Sequence, residues 1–131
     1  METAKANKVH LEILHFEHEN WVKQLKFYKD ELTTYNNRLE DIAKRYTGMD
    51  VLAELEKFQN KFIRENEVID TLMHDISGHE GILVESVKEN PVASDHRFFN
   101  DHEELRNRME TFLKVYNELK PSFMRFLTKY M

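Results

Sequence analysis

Apolar residues recur along this chain at alternating steps of four and three, the spacing that keeps one stripe on the face of a helix in a coiled-coil-like bundle. A first stripe runs Leu14, His18, Trp21, Leu25, Tyr28, Leu32, Tyr35, Leu39, Ile42, Tyr46. A second runs Val51, Leu55, Phe58, Phe62, Glu65, Ile69, Leu72, Ile76, His79, Leu83, and a third Phe98, His102, Leu105, Met109, Phe112, Tyr116, Leu119, Phe123, Phe126, Tyr130. Two turn signals separate them. Thr47-Gly48-Met49-Asp50 offers a glycine C-cap and an aspartate able to cap the next helix, and Asn90-Pro91 with Ser94 and Asp95 repeats the device. The pattern predicts helices at about 7–46, 50–89 and 95–131, in one domain over 1–131. Pro121 falls inside the third and is expected to kink or break it. The predicted fold is all-α, a long antiparallel three-helix bundle running up, down, up.

The stripes also fix a register. Folding the second helix back on the first through a short turn aligns residues whose numbers share a sum: Tyr46 with Val51, Leu25 with Leu72, and His18 with His79 all give 97. The third helix then runs parallel to the first at a constant difference of 84, met by Tyr130 and Tyr46, Met109 and Leu25, and His102 and His18. Three histidines therefore share one layer, with Trp21, Ile76 and Leu105 beside it and Leu14, Leu83 and Phe98 on the other side. Flanking positions choose the hand of the bundle. One hand pairs His15 with Glu80, Glu17 with Arg106, Glu31 with Lys120, Asp75 with Arg108 and Glu54 with Lys129; the other sets Arg108 near Lys29 and Met73 near Arg106.

Composition narrows the function classes. The net charge of −5 and the lack of a basic stripe argue against nucleic acid. No apolar run approaches the ~20 residues of a membrane span, and the first ten residues carry no apolar leader core. With no cysteine, disulfides and thiolate metal sites are excluded, which fits a cytoplasmic protein.

The chemistry lies in the histidine layer. A neutral imidazole has one donor and one acceptor, and a buried one left unpaired costs ~1–3 kcal/mol. A single core histidine is ordinarily anchored by one hydrogen bond, but three among Leu, Trp, Ile and Phe have few partners besides each other. A divalent transition metal, zinc or iron, would use all three, with His18, His79 and His102 as ligands. Glu80 and His15 are the candidates for a further ligand or for groups that orient the ligands, with Glu17, Asp75 and Asp101 close by in sequence. The alternative is a non-enzymatic interaction or scaffold module in which the histidines form a polar layer that sets register. No substrate pocket is legible, so no catalytic residue is assigned. Glu65, in the layer of Leu32 and Tyr116, is expected to accept a hydrogen bond from the tyrosine. Gly78 and Gly81 flank the layer on the outer side of the second helix, where they allow close helix packing or a local bulge. Val9, Ile13, Phe16 and Phe27 on the outer side of the first helix predict self-association into a dimer and leave room for another protein partner.

Overall fold

The computed structural model describes the backbone of residues 2–89 and 96–131 and the side chains of 11–85 and 99–131. Within these it is all helix: α1 Glu2–Arg45, α2 Met49–Glu89 and α3 His96–Tyr130. α1 packs against α2 and both pack against α3, as a three-helix bundle requires. No helix among the described residues is long and apolar enough to cross a membrane.

The heptad stripes are the core. Leu25, Ile42, Ile69 and Phe123 are fully buried, and Leu14, Leu32, Phe62, Leu72, Ile76, Met109, Phe112 and Tyr116 are nearly so. The register follows the arithmetic of the sequence. Tyr35 and Phe62, whose numbers sum to 97, have ring centroids 5.7 Å apart. Tyr28 and Phe112 (5.7 Å) and Tyr46 and Tyr130 (5.4 Å) differ by 84. The ion pairs identify the hand: Asp75–Arg108 at 2.8 Å, Glu17–Arg106 at 2.6 Å, Glu31–Lys120 at 3.3 Å, and His15 with Glu80. Lys29, which the opposite hand would bring to Arg108, instead pairs with Asp70. Each exposed pair stabilises by less than about 1 kcal/mol, so their value lies in selecting one packing over its mirror alternative.

Three local expectations need correction. α3 runs through Pro121 without a break. The proline and Asn117, whose carbonyl loses its donor, are both exposed, so water can satisfy what the ring removes. Gly48 is not a left-handed C-cap, since no glycine has positive φ. Its carbonyl accepts from the Leu52 amide (3.1 Å), which makes Gly48 the residue that opens α2. Asp50 lies inside the first turn, where its charge suits the positive end of the helix. A Cβ on Gly48 would meet the Asp50 carboxylate at 3.0 Å, the end of an exposed side chain that can move aside. Finally, α2 is continuous through Gly78 and Gly81, with no bulge, and a Cβ at either would meet nothing within 4 Å. The Asn90–Asp95 turn, Val9 and the Phe98 side chain lie outside the described residues. On that side of the histidine layer, Leu11, Leu14 and Leu83 form a small buried cluster on which Phe99 packs.

Candidate metal centre

Each helix contributes one histidine to the layer because the position is a core position of its stripe. His18, His79 and His102 are 2%, 6% and 2% exposed, as buried as their leucine neighbours. Their ring centroids lie 5.2 Å (His18–His79), 4.9 Å (His18–His102) and 5.5 Å (His79–His102) apart. Trp21 closes one side, its ring stacked on His102 at 5.1 Å and 28°.

The rings point nitrogens at each other. His18 Nε2 is 3.2 Å from His79 Nδ1 and 3.2 Å from His102 Nδ1. One nitrogen from each ring lies within 4.8 Å of the other two. Metal–nitrogen bonds of 2.0–2.1 Å in a tetrahedron place ligand nitrogens about 3.3 Å apart, so two of the three edges already have that length.

The outward nitrogens explain why the inward ones are unusual. His18 Nδ1 hydrogen-bonds Glu80 Oε2, and His102 Nε2 lies 3.2 Å from Glu17 Oε1. A carboxylate only accepts, so each of these ring nitrogens carries the proton. Glu17 is held in place by Arg106, whose Nε and Nη2 donate to its two oxygens at 3.1 and 2.6 Å. Burial works against ionisation of Glu17, but the hydrogen bonds from Arg106 and His102 hold its carboxyl below the ordinary range. With the outer nitrogens protonated and both rings neutral, His18 and His102 face each other at 3.2 Å with a lone pair on each side. His79 can donate into His18 Nε2, but it leaves the His102 lone pair opposed. A cation between the rings removes the conflict, either a metal ion or a proton on one inward nitrogen. At His102 a proton is disfavoured: burial, opposed by Glu17 and reinforced by the neighbouring histidines, lowers its pKa to about 4.

Glu80 and His15 take orienting positions. Glu80 meets His18 on the nitrogen remote from the point where the three rings converge. His15 sits further out, its Nδ1 on the other Glu80 oxygen and its Nε2 2.7 Å from Glu19. The Glu80 contact chiefly raises the pKa of His15. Glu19 reaches His15 because it lies one helical turn beyond it. Asp75 is engaged by Arg108, and Asp101 lines the surface groove between α2 and α3. The layer is approached from two such grooves. One of about 490 Å³ between α1 and α2 touches His15, His18 and Glu80, and one of about 320 Å³ between α2 and α3 touches His79.

Glu65 behaves differently from expectation. It is buried, and burial raises its pKa. The Tyr116 hydroxyl, however, donates to Glu31 Oε1 at 2.7 Å, while Lys120 donates to the other oxygen, Oε2, at 3.3 Å. Burial and the Glu31 charge push the Tyr116 ionisation far above its usual range. The buried Tyr35 hydroxyl makes no hydrogen bond of ordinary geometry among the described residues, yet it lies near Glu31 and Tyr116, and burial together with Glu31 raises its pKa.

No family model, curated protein or solved structure matches the chain.

Proposed function

We propose that this protein binds one transition-metal ion, zinc or iron, in the centre of its bundle. His18 Nε2, His79 Nδ1 and His102 Nδ1 are the ligands. The observation that supports this most is the convergence of three buried ring nitrogens, with His18 Nε2 3.2 Å from both His79 Nδ1 and His102 Nδ1 and a carboxylate behind two of the rings. Histidine ligands backed by carboxylates on the remote nitrogen are the usual arrangement in metal sites, because the backing group sets the tautomer and raises ligand basicity. Glu80 has that role for His18 and Glu17 for His102. A bound metal would act as a Lewis acid toward a fourth, exchangeable ligand. The walls above and below the layer are Leu14, Leu83, Trp21, Ile76 and Leu105, so that ligand is expected to be water or another small molecule.

Metal content of protein purified without an affinity tag tests the reading, together with thermal unfolding before and after chelation. A metal that binds only the folded form stabilises it by about 2.7 kcal/mol at a hundredfold excess over the dissociation constant. Stoichiometric metal, lost with a fall in melting temperature on chelation, is expected. Metal-free protein whose melting temperature is unmoved by added zinc, iron, copper, cobalt or nickel leaves the histidines as a polar layer in an interaction module.

A further inference from the structure

The surface between α2 and α3 is a groove that runs most of the bundle's length, from Glu54 and Lys129 at one end to Ile82 and Asp101 at the other. One stretch of it, about 620 Å³, is lined by Leu72 and Phe112. Its net charge changes along its length. Lys57, Lys61, Arg64 and Arg125 gather toward the Lys129 end and outnumber Glu54, Glu65 and Glu118 there, although the chain as a whole carries −5. Asp75, Asp101 and Glu104 outnumber Arg108 toward the other. Between them, Val68 and Val115 are followed by Thr71 and Thr111, short side chains that let another surface come close.

A face that is basic at one end, acidic at the other and small or apolar in the middle complements itself when turned end for end. We infer that a second copy of this chain docks over the α2–α3 face, antiparallel, about a two-fold axis level with Val68 and Thr71. In that symmetry α2 faces α2 and α3 faces α3. On α3, Arg125 meets the partner's Asp101, Glu118 meets the partner's Arg108, and Val115 meets the partner's Thr111, three pairs that share the sum 226. On α2, Arg64 meets the partner's Asp75 and Val68 meets the partner's Thr71, both at 139. The same sum puts Lys61 over the partner's Gly78, a position with no atom near its missing Cβ. One register thus opposes unlike charges at three sites on the two helices, Arg125–Asp101, Glu118–Arg108 and Arg64–Asp75, the last two extending the Asp75–Arg108 pair within each copy.

The size is adequate. From residue 54 to residue 82 the groove is about 42 Å long at 1.5 Å per residue. Two helices side by side make it about 20 Å wide, or about 800 Å² per copy, the area of a standard stable interface. The outer face of α1 is the rival. Ile13, Phe16 and Phe27 are exposed there, but Phe16 and Phe27 lie about 16 Å apart with exposed Asn20 and Lys23 between them, which breaks the patch. The dimer does not depend on the metal site, and its test does not measure metal.

Sedimentation equilibrium on the full chain, up to high micromolar concentration and at low and high salt, tests the contact. Wild type is expected to dimerise, more weakly at high salt. Arg125→Glu and Asp101→Arg are each expected to weaken the dimer about tenfold, since symmetry disrupts each pair twice. The double variant Arg125→Glu/Asp101→Arg is expected to return to within about threefold of wild type. Both positions are exposed, and unchanged helical circular dichroism verifies that the variants fold. A monomer throughout overturns the proposal, as does a double variant no tighter than the singles. Dimerisation lost in Phe16→Ser and untouched by Arg125→Glu overturns it too, and moves the contact to α1.

Discussion

Glu17→Ala separates a metal site from a structural polar layer because the two readings assign the carboxylate opposite roles. In the native arrangement Glu17 accepts from His102 Nε2 at 3.2 Å and from Arg106 at 2.6 Å, which keeps the proton on the outer nitrogen and a lone pair inward. Without Glu17, His102 can carry its proton on Nδ1 and donate to His18 Nε2. That exchange relieves the inward conflict and offsets part of the lost ion pair. The ion pair itself is partly exposed, 25% on Glu17 and 35% on Arg106, so its contribution is at most about 1 kcal/mol. Metal-free Glu17→Ala is therefore expected to unfold within about 1 kcal/mol of wild type. Metal binding should suffer far more, because the ligand must first return to the outer tautomer and has lost the group that made it basic. A loss of tenfold to a hundredfold, about 1.4–2.8 kcal/mol, is expected. Denaturant unfolding of the metal-free forms, beside calorimetric titration with zinc, reads both quantities on the same samples. Equal zinc affinity in the two proteins, or a metal-free destabilisation of several kcal/mol, would refute the reasoning.

Three further outcomes follow from the same geometry. Gly81→Ala should stabilise the protein by up to about 1 kcal/mol, read as a melting temperature higher by about 3 °C, because the helical position is open to solvent; a decrease would mean that something packs there. Glu65→Met should stabilise by on the order of 1 kcal/mol at neutral pH. Burial raises the folded pKa of Glu65 above the unfolded value, so its ionisation weakens the fold above that range; the gain should shrink as pH falls toward 4.5, and a gain independent of pH would contradict this. For metal-free protein the sign at His102 is opposite. Its folded pKa of about 4 lies below the unfolded 6.5, so its contribution is fully present above pH 6.5 and is lost as pH falls toward 4. That difference is worth about 3 kcal/mol, and denaturant midpoints in His102→Leu that follow pH as steeply as wild type would count against it.

The bundle was legible in the sequence because heptad stripes on three helices over-determine one register. Once Tyr46 and Val51 are joined by a short turn, every other layer follows, and His18, His79 and His102 have no freedom to fall elsewhere. The hand was legible for the same reason, since Asp75–Arg108, Glu17–Arg106 and Glu31–Lys120 form together in one packing only. What spacing cannot convey is which rotamer a side chain takes and where its proton sits. Tyr116 shares a layer with Glu65, yet its hydroxyl reaches past the core to Glu31, a flanking carboxylate that can stay partly solvated. Glu80 could be placed near His18 from its number, but only the side-chain geometry puts it on the remote nitrogen. Local signals misled where solvent could supply the missing hydrogen bond, as at Pro121, or where a glycine opened a helix rather than closing one, as at Gly48.

The central claim is that the three histidines converge on one metal ion. Calorimetric titration of tag-free protein at pH 7.5 with zinc and with iron(II), beside His79→Ala, tests it most directly. The account predicts one ion per chain for wild type, affinity that falls as pH drops and protons compete for the imidazoles, and binding lost or strongly weakened in His79→Ala. Equal binding by both proteins, or binding by neither, would contradict it.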